Sequence, residues 1–195
     1  MFLLSSASIV SASDCSILVL GDSLSAGYNM RLEQSWPSLL QQRLDDEGRP
    51  CRVINSSITG DTTQGGWSRL PRLLTRHHPD IVVIELGGND GLRGLSIDVT
   101  RGNLESMILA SKEAGAQIVL AGIMLPPNYG AAYTERFQAI YPELAAQHDI
   151  ALHPFILEGV ALDPELMQSD GIHPNALAQP MLLENLWPLL SAALE

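Results

Sequence analysis

Apolar residues along the chain fall into two alternating rhythms. Short runs that are apolar almost throughout recur at 16–21 (SILVLG), 52–56 (RVINS), 80–87 (DIVVIELG), 117–123 (QIVLAGI) and 150–154 (IALHP). Between them, apolar positions recur at three- and four-residue steps, as one face of a helix requires. Trp36, Leu39, Leu40, Arg43 and Leu44 mark such a face in 36–47. Leu70, Leu73 and Leu74 do so in 66–76, and Leu104, Met107, Ile108 and Ala114 in 98–114. Two further helices are predicted over 133–147 and 176–194. Strands that are apolar throughout, rather than alternating, are buried on both faces. Strand, helix, strand repetition then predicts a five-stranded parallel sheet covered by helices on both sides, an α/β/α sandwich. No internal repeat, low-complexity tract or linker interrupts 14–195, which is read as one domain.

Composition narrows the possibilities. The chain has 195 residues, 46% of them hydrophobic and 17% charged, which is the balance of a folded globular protein. Its formal net charge of −11 and the lack of a basic stripe argue against a nucleic-acid partner. The local cluster Arg69, Arg72, Arg76, His77 and His78 is expected on the wet face of a helix. Residues 1–13, within MFLLSSASIVSASD, read as a leader or signal-peptide remnant, with a V-S-A-S stretch suited to cleavage but without a basic start. Export to the periplasm or medium is the expectation, and no segment is long enough to span a membrane. Two cysteines, Cys15 and Cys51, each open a predicted strand. They would bridge if those strands are neighbours in an oxidising compartment, and otherwise remain two buried thiols.

Parallel sheets place ligands beyond the carboxyl ends of their strands. The loops after 20, 56 and 86, the loop at 125–130 and the SDGIHPN stretch therefore hold the candidate chemistry. In GDSLSAGYNM (21–30), Gly21 and Gly27 allow the chain to turn sharply from strand to helix. Ser23 then offers its hydroxyl at a helix start, whose amides favour negative charge. Gly, Asp and Ser are equally ordinary turn formers, and position 25 is not the glycine of a G-x-S-x-G elbow. A serine nucleophile needs a base. His77, His78 and His148 lie in polar stretches and are expected at the surface, whereas His153, after an apolar strand, suits a structural role. His173 differs, because Asp170 stands three residues before it and can hold one ring nitrogen while the other faces a hydroxyl. The loop Gly87-Gly88-Asn89-Asp90 supplies a side-chain amide, and Gly60 in Thr59-Gly60-Asp61 allows close approach of a backbone N–H. Both suit an oxyanion hole. Asp22 and Asp90 are expected to stabilise loops. Pro126, Asn128 and Tyr129, in LPPNYG, are candidate substrate contacts in a segment that reads either as a lid or as a plain connector. No group of residues has metal-ligand spacing, and no cofactor is expected.

On these residues the chain resembles the SGNH, or GDSL, hydrolases. GDSLS matches the first family motif, Gly60 in SITGDT the second, GGND the third and DGIHPN the last, from about Ser16 to the C-terminus. Within the family it resembles in particular the bacterial thioesterase/lysophospholipase/arylesterase group, through ILGDSLSAGY-, LGGNDGLRG- and LPxNYG-like stretches. The resemblance implies a flavodoxin-like sheet and a metal-free serine hydrolase, usually exported, acting as a monomer on small-molecule or lipid-like acyl esters and thioesters. It implies Ser23, His173 and Asp170 as a catalytic triad, with Ser23, Gly60 and Asn89 as the oxyanion hole. Two other readings remain open: a sugar deacetylase of the same family, for which 5% aromatic content gives little stacking platform, and a non-catalytic module cradling a phosphate at a helix start.

Overall fold

The computed structural model describes residues 15–195; the leader expected at 1–13 lies outside them. Five strands are present among the described residues: β1 (Cys15–Gly21), β2 (Cys51–Asn55), β3 (Ile81–Glu85), β4 (Gln117–Ala121) and β5 (Ala151–His153). The helices are α1 (Ser23–Ala26), α2 (Trp36–Asp46), α3 (Thr63–His77), α4 (Gly88–Leu92), α5 (Ile97–Glu113), α6 (Ala131–His148) and α7 (Gln179–Ala193). The strands pair in the order β2-β1-β3-β4-β5, all parallel, which is the flavodoxin-like arrangement.

Burial follows the apolar runs. Every residue of β3 is buried, as is every residue of β1 after Cys15, so these strands form the dry centre of the sheet. The edges, β2 and the three-residue β5, are only partly covered. On one face α2 packs against α7; on the other α3 packs against β1 and α5, and α5 against α6. Trp36, Leu40 and Leu44 give α2 its buried stripe at four-residue steps. Arg43, which shares the apolar spacing, instead lays its guanidinium 3.8 Å from the centre of the Trp187 ring of α7. Right-handed crossovers account for the split of helices between faces. The chain leaves β1 toward β2 in one direction and later adds β3, β4 and β5 in the other. The loops that follow β1 and β3 therefore diverge, and a crevice opens between them.

Two helices begin three residues away from the start that the periodicity predicts. Helix α3 starts at Thr63 rather than 66, because the Thr62 hydroxyl accepts from the Gly65 N–H and caps a first turn containing two glycines. Helix α7 starts at Gln179 rather than 176, since the Asn175 side chain accepts from the Leu177 N–H and holds a turn ahead of it. No described helix is long and apolar enough to cross a membrane.

Cys15 and Cys51 are register partners at the first positions of β1 and β2, and their sulfurs are bonded across a separation of 36 residues. Closing a loop of that size in the unfolded chain is worth about 3–4 kcal/mol. Replacing both cysteines with serine is expected to lower Tm by roughly 7–15 °C in a thermal melt. Turnover should be unchanged, because the bond sits at the amino ends of the strands and the crevice at the carboxyl ends.

Candidate active site

The apolar run of β1 ends at Gly21, and the chain turns at once into the single helical turn of α1. Asp22 caps that turn, its carboxylate accepting from the Leu24 N–H at 3.1 Å. Ser23, the first residue of α1, is buried to 8% exposure. Its N–H has no acceptor within so short a helix and is free for another partner. From the far end of the sequence, His173 brings Nε2 to 2.9 Å from Ser23 Oγ, while its Nδ1 lies 2.7 Å from Asp170 Oδ2. The other Asp170 oxygen accepts the backbone N–H groups of Ile172 and His173 at 2.9 and 3.0 Å. Burial pushes the Asp170 carboxyl upward, but these two amides and the imidazole pull harder and hold it at about 2, so it is ionised at any ordinary pH.

The position of the His173 loop is fixed by partners that no local motif announces. Gln168 donates from Nε2 to the carbonyls of Tyr28 and Pro174, and its side-chain oxygen accepts from Asn29. Asn175 donates from Nδ2 to the carbonyl of Glu165 at 2.7 Å. The Tyr28 ring lies 4.4 Å from the imidazole of His173, centre to centre, tilted by 41°. The loop is thereby tied to the segment that follows Ser23.

The second and third loops reach the same edge. Asn89, in α4, donates from Nδ2 to Asp22 Oδ2 at 3.0 Å, which holds the amide against the residue before Ser23 and leaves its second N–H unused by that bond. Gly60 has φ of +78°, a conformation that a residue with a Cβ adopts only with strain. Its carbonyl accepts from Arg93 at 2.9 Å, just past the end of α4. Next to it, Asp61 pairs with Arg69 at 2.9 Å, and Arg69 also donates to the carbonyls of Ser56 and Gly21. Arg69 is therefore a half-buried brace between the first two loops and not part of a wet helix face. His148 is likewise not a free surface residue: its side chain is 12% exposed and meets Glu105 at 3.0 Å. His153 accepts from the Phe155 N–H and lies well outside the relay, in a structural setting. Asp90 binds the N–H and hydroxyl of Thr63, joining α4 to α3. Pro126, Asn128 and Tyr129 stand after β4 at the same end of the sheet; the Tyr129 hydroxyl donates to the Leu92 carbonyl, and none of the three bonds to the relay.

A buried serine hydroxyl, an imidazole and an ionised carboxylate in series, beside the end of a parallel sheet, define a serine hydrolase geometry. Residues 19–179 match the model of the GDSL-like lipase/acylhydrolase family. The chain belongs to that family of ester-bond hydrolases. It is 53% identical to esterase TesA of Pseudomonas aeruginosa over 91% of this chain and 89% of that one. It is 49% identical to thioesterase 1/protease 1/lysophospholipase L1 of Escherichia coli over 86% of this chain and 79% of that one. The structure of the psychrotrophic esterase EstA from Pseudoalteromonas, inhibited by monoethylphosphonate, superimposes with a TM-score of 0.88 at 37% identity, covering 92% of this chain and 98% of that one.

Asp22 also imposes a pH dependence on stability. Burial raises its carboxyl from 3.8 to about 6, against the Leu24 and Asn89 hydrogen bonds that lower it. Between those values the folded protein holds a proton that the unfolded chain releases, so stability falls as pH rises through about 6. Asp22→Asn is expected to shrink the change in Tm between about pH 4 and pH 7 in thermal melts. An unaltered slope would assign that dependence to another group.

Proposed function

We propose that this chain hydrolyses carboxylic esters and acyl thioesters with Ser23 as nucleophile and His173 as its base. The observation that carries the reading is the unbroken relay from Ser23 Oγ through His173 to Asp170, at 2.9 and 2.7 Å. In it, Ser23 Oγ attacks the carbonyl carbon as its proton passes to His173 Nε2. Asp170 holds the opposite ring nitrogen, fixing the tautomer and stabilising the imidazolium that forms. The tetrahedral oxyanion is met by the N–H groups of Ser23 and Gly60 and by the Asn89 amide. Collapse expels the alcohol or thiol, which takes the proton from His173. Water, deprotonated by the same nitrogen, then attacks the acyl-enzyme and frees the acid and Ser23.

The acyl preference has its own support. The thioesterase and lysophospholipase names carried by the Escherichia coli relative favour lipid-like acyl substrates over a carbohydrate acetate. The Cys15–Cys51 bond supports an exported protein, folded in an oxidising compartment such as the periplasm.

Ser23→Ala is expected to lower kcat on p-nitrophenyl esters by about 10⁶-fold, and to abolish labelling by a phosphonate that inactivates the parent. A folded variant with substantial turnover would remove Ser23 from the mechanism. Asn89→Ala should cost about 10²–10³, mainly in kcat, as loss of one oxyanion donor does. A loss confined to KM would make Asn89 a ground-state contact instead. A chain-length series of p-nitrophenyl esters, beside acyl-CoA and lysophospholipid, reads the substrate preference.

A further inference from the structure

Directly beneath the nucleophile turn, β3 ends in a residue at odds with the strand that carries it. Glu85 follows four apolar residues and is fully buried, yet no ion pair among the described residues involves it. One oxygen, Oε2, accepts from the Ser25 hydroxyl at 2.7 Å and from the Asp22 N–H at 3.3 Å. The other, Oε1, is buried without a partner. Ser25 in turn accepts from the indole N–H of Trp36 at 3.1 Å, and all three side chains are dry. Space for the carboxyl exists because its register partner is Gly21: a Cβ there would come within 2.8 Å of Glu85 Oε2. Sequence at 21 and chemistry at 85 are thus fitted to each other across the β1–β3 pair.

We propose that Glu85 is a positioning residue for the nucleophile, acting as an uncharged buried acceptor. Its single oxygen Oε2 grips the turn on both sides of Ser23, through the amide one residue before it and the side chain two residues after. The Ser23 N–H and Oγ are carried between those two points. The group is kept neutral by where it stands. Burial and the neighbouring Asp22 carboxylate both push its proton affinity up, well above the usual carboxylate range. A negative charge left unpaired there would be strongly unfavourable. Asp22 is therefore the member of the pair that carries charge at neutral pH, and it spends that charge on Leu24 and Asn89. The role rests on Ser23 being the nucleophile, as proposed above.

The test compares Glu85→Gln, Glu85→Ala and Ser25→Ala with the parent on a p-nitrophenyl ester, with Ser23→Ala alongside. Gln keeps an acceptor without a titratable proton, and kcat is expected within about threefold of the parent; Ala at 85 should lower kcat by about 10–100-fold with KM within about twofold. Ser25→Ala, which removes one hydrogen bond of the grip and no charge, should lower kcat by about tenfold. Infrared difference spectra at neutral pH should contain a protonated-carboxyl band that Glu85→Gln removes. Loss of Tm in Glu85→Ala or Ser25→Ala with kcat intact would overturn the role, as would a Gln variant as impaired as Ala or a missing band. If Glu85→Ala fails to fold, Ser25→Ala and the Gln variant decide. Turnover retained by Ser23→Ala would instead bring down the nucleophile assignment, a result distinguishable from failure at 85 alone.

Discussion

Strands β1 and β3 share five register pairs, from Ile17 with Ile81 to Gly21 with Glu85, and both are closed to water on both faces. Their alignment sets the height at which each strand ends and so the distance between the loops that follow. A slip of one residue would turn the alternating side chains to opposite faces. It would also remove the gap at Gly21 that Glu85 occupies. The amide at 89 meets Asp22, next to Ser23, because this pair cannot slide. The remaining strands add breadth and bury the centre, but the crevice belongs to the junction where strand order reverses.

Around that junction the carboxyl groups are sorted by environment. Asp170, partly open to solvent, gathers three N–H donors and is ionised far below neutrality. Asp22 and Glu85, both buried, are pushed the other way, Glu85 by the Asp22 carboxylate as well. One chain of acids therefore serves three purposes: holding an imidazole, orienting an amide and seating a turn. The differences come from solvent and donors rather than from residue type.

Much of this was legible in the residues themselves. The dry runs at 16–21 and 80–87 contain the two central strands, and Trp36, Leu40 and Leu44 announce the buried stripe of α2. Ser23 stood out because it follows an apolar run between glycines, and His173 because Asp170 lies one turn before it. What the spacing could not convey was long-range pairing. Gln168 reaches a carbonyl 140 positions away and Arg93 one 33 positions away, and nothing adjacent to either betrays it. Arg69 reads with Arg72 and Arg76 as a solvated face because charge density is local, whereas its partner carbonyls at Ser56 and Gly21 come near only once α3 docks. Helix α4 is hidden by its glycines, and the first turn of α3 falls before the apolar spacing that begins within 66–76. Glu85 carries a signal in the sequence too: a lone acid closing an otherwise apolar strand.

The contact between Arg93 and the Gly60 carbonyl joins the two loops that flank the crevice from separate strands, β2 and β3. Neither loop is then an independent module. Grafting a foreign segment in place of one alone would strand a guanidinium on one side or a carbonyl on the other. Thermal breathing of the sheet edge should carry both loops in concert, preserving the spacing between them. Variation aimed at new substrates is better directed to 126–130, which the Tyr129 phenol bonds to α4.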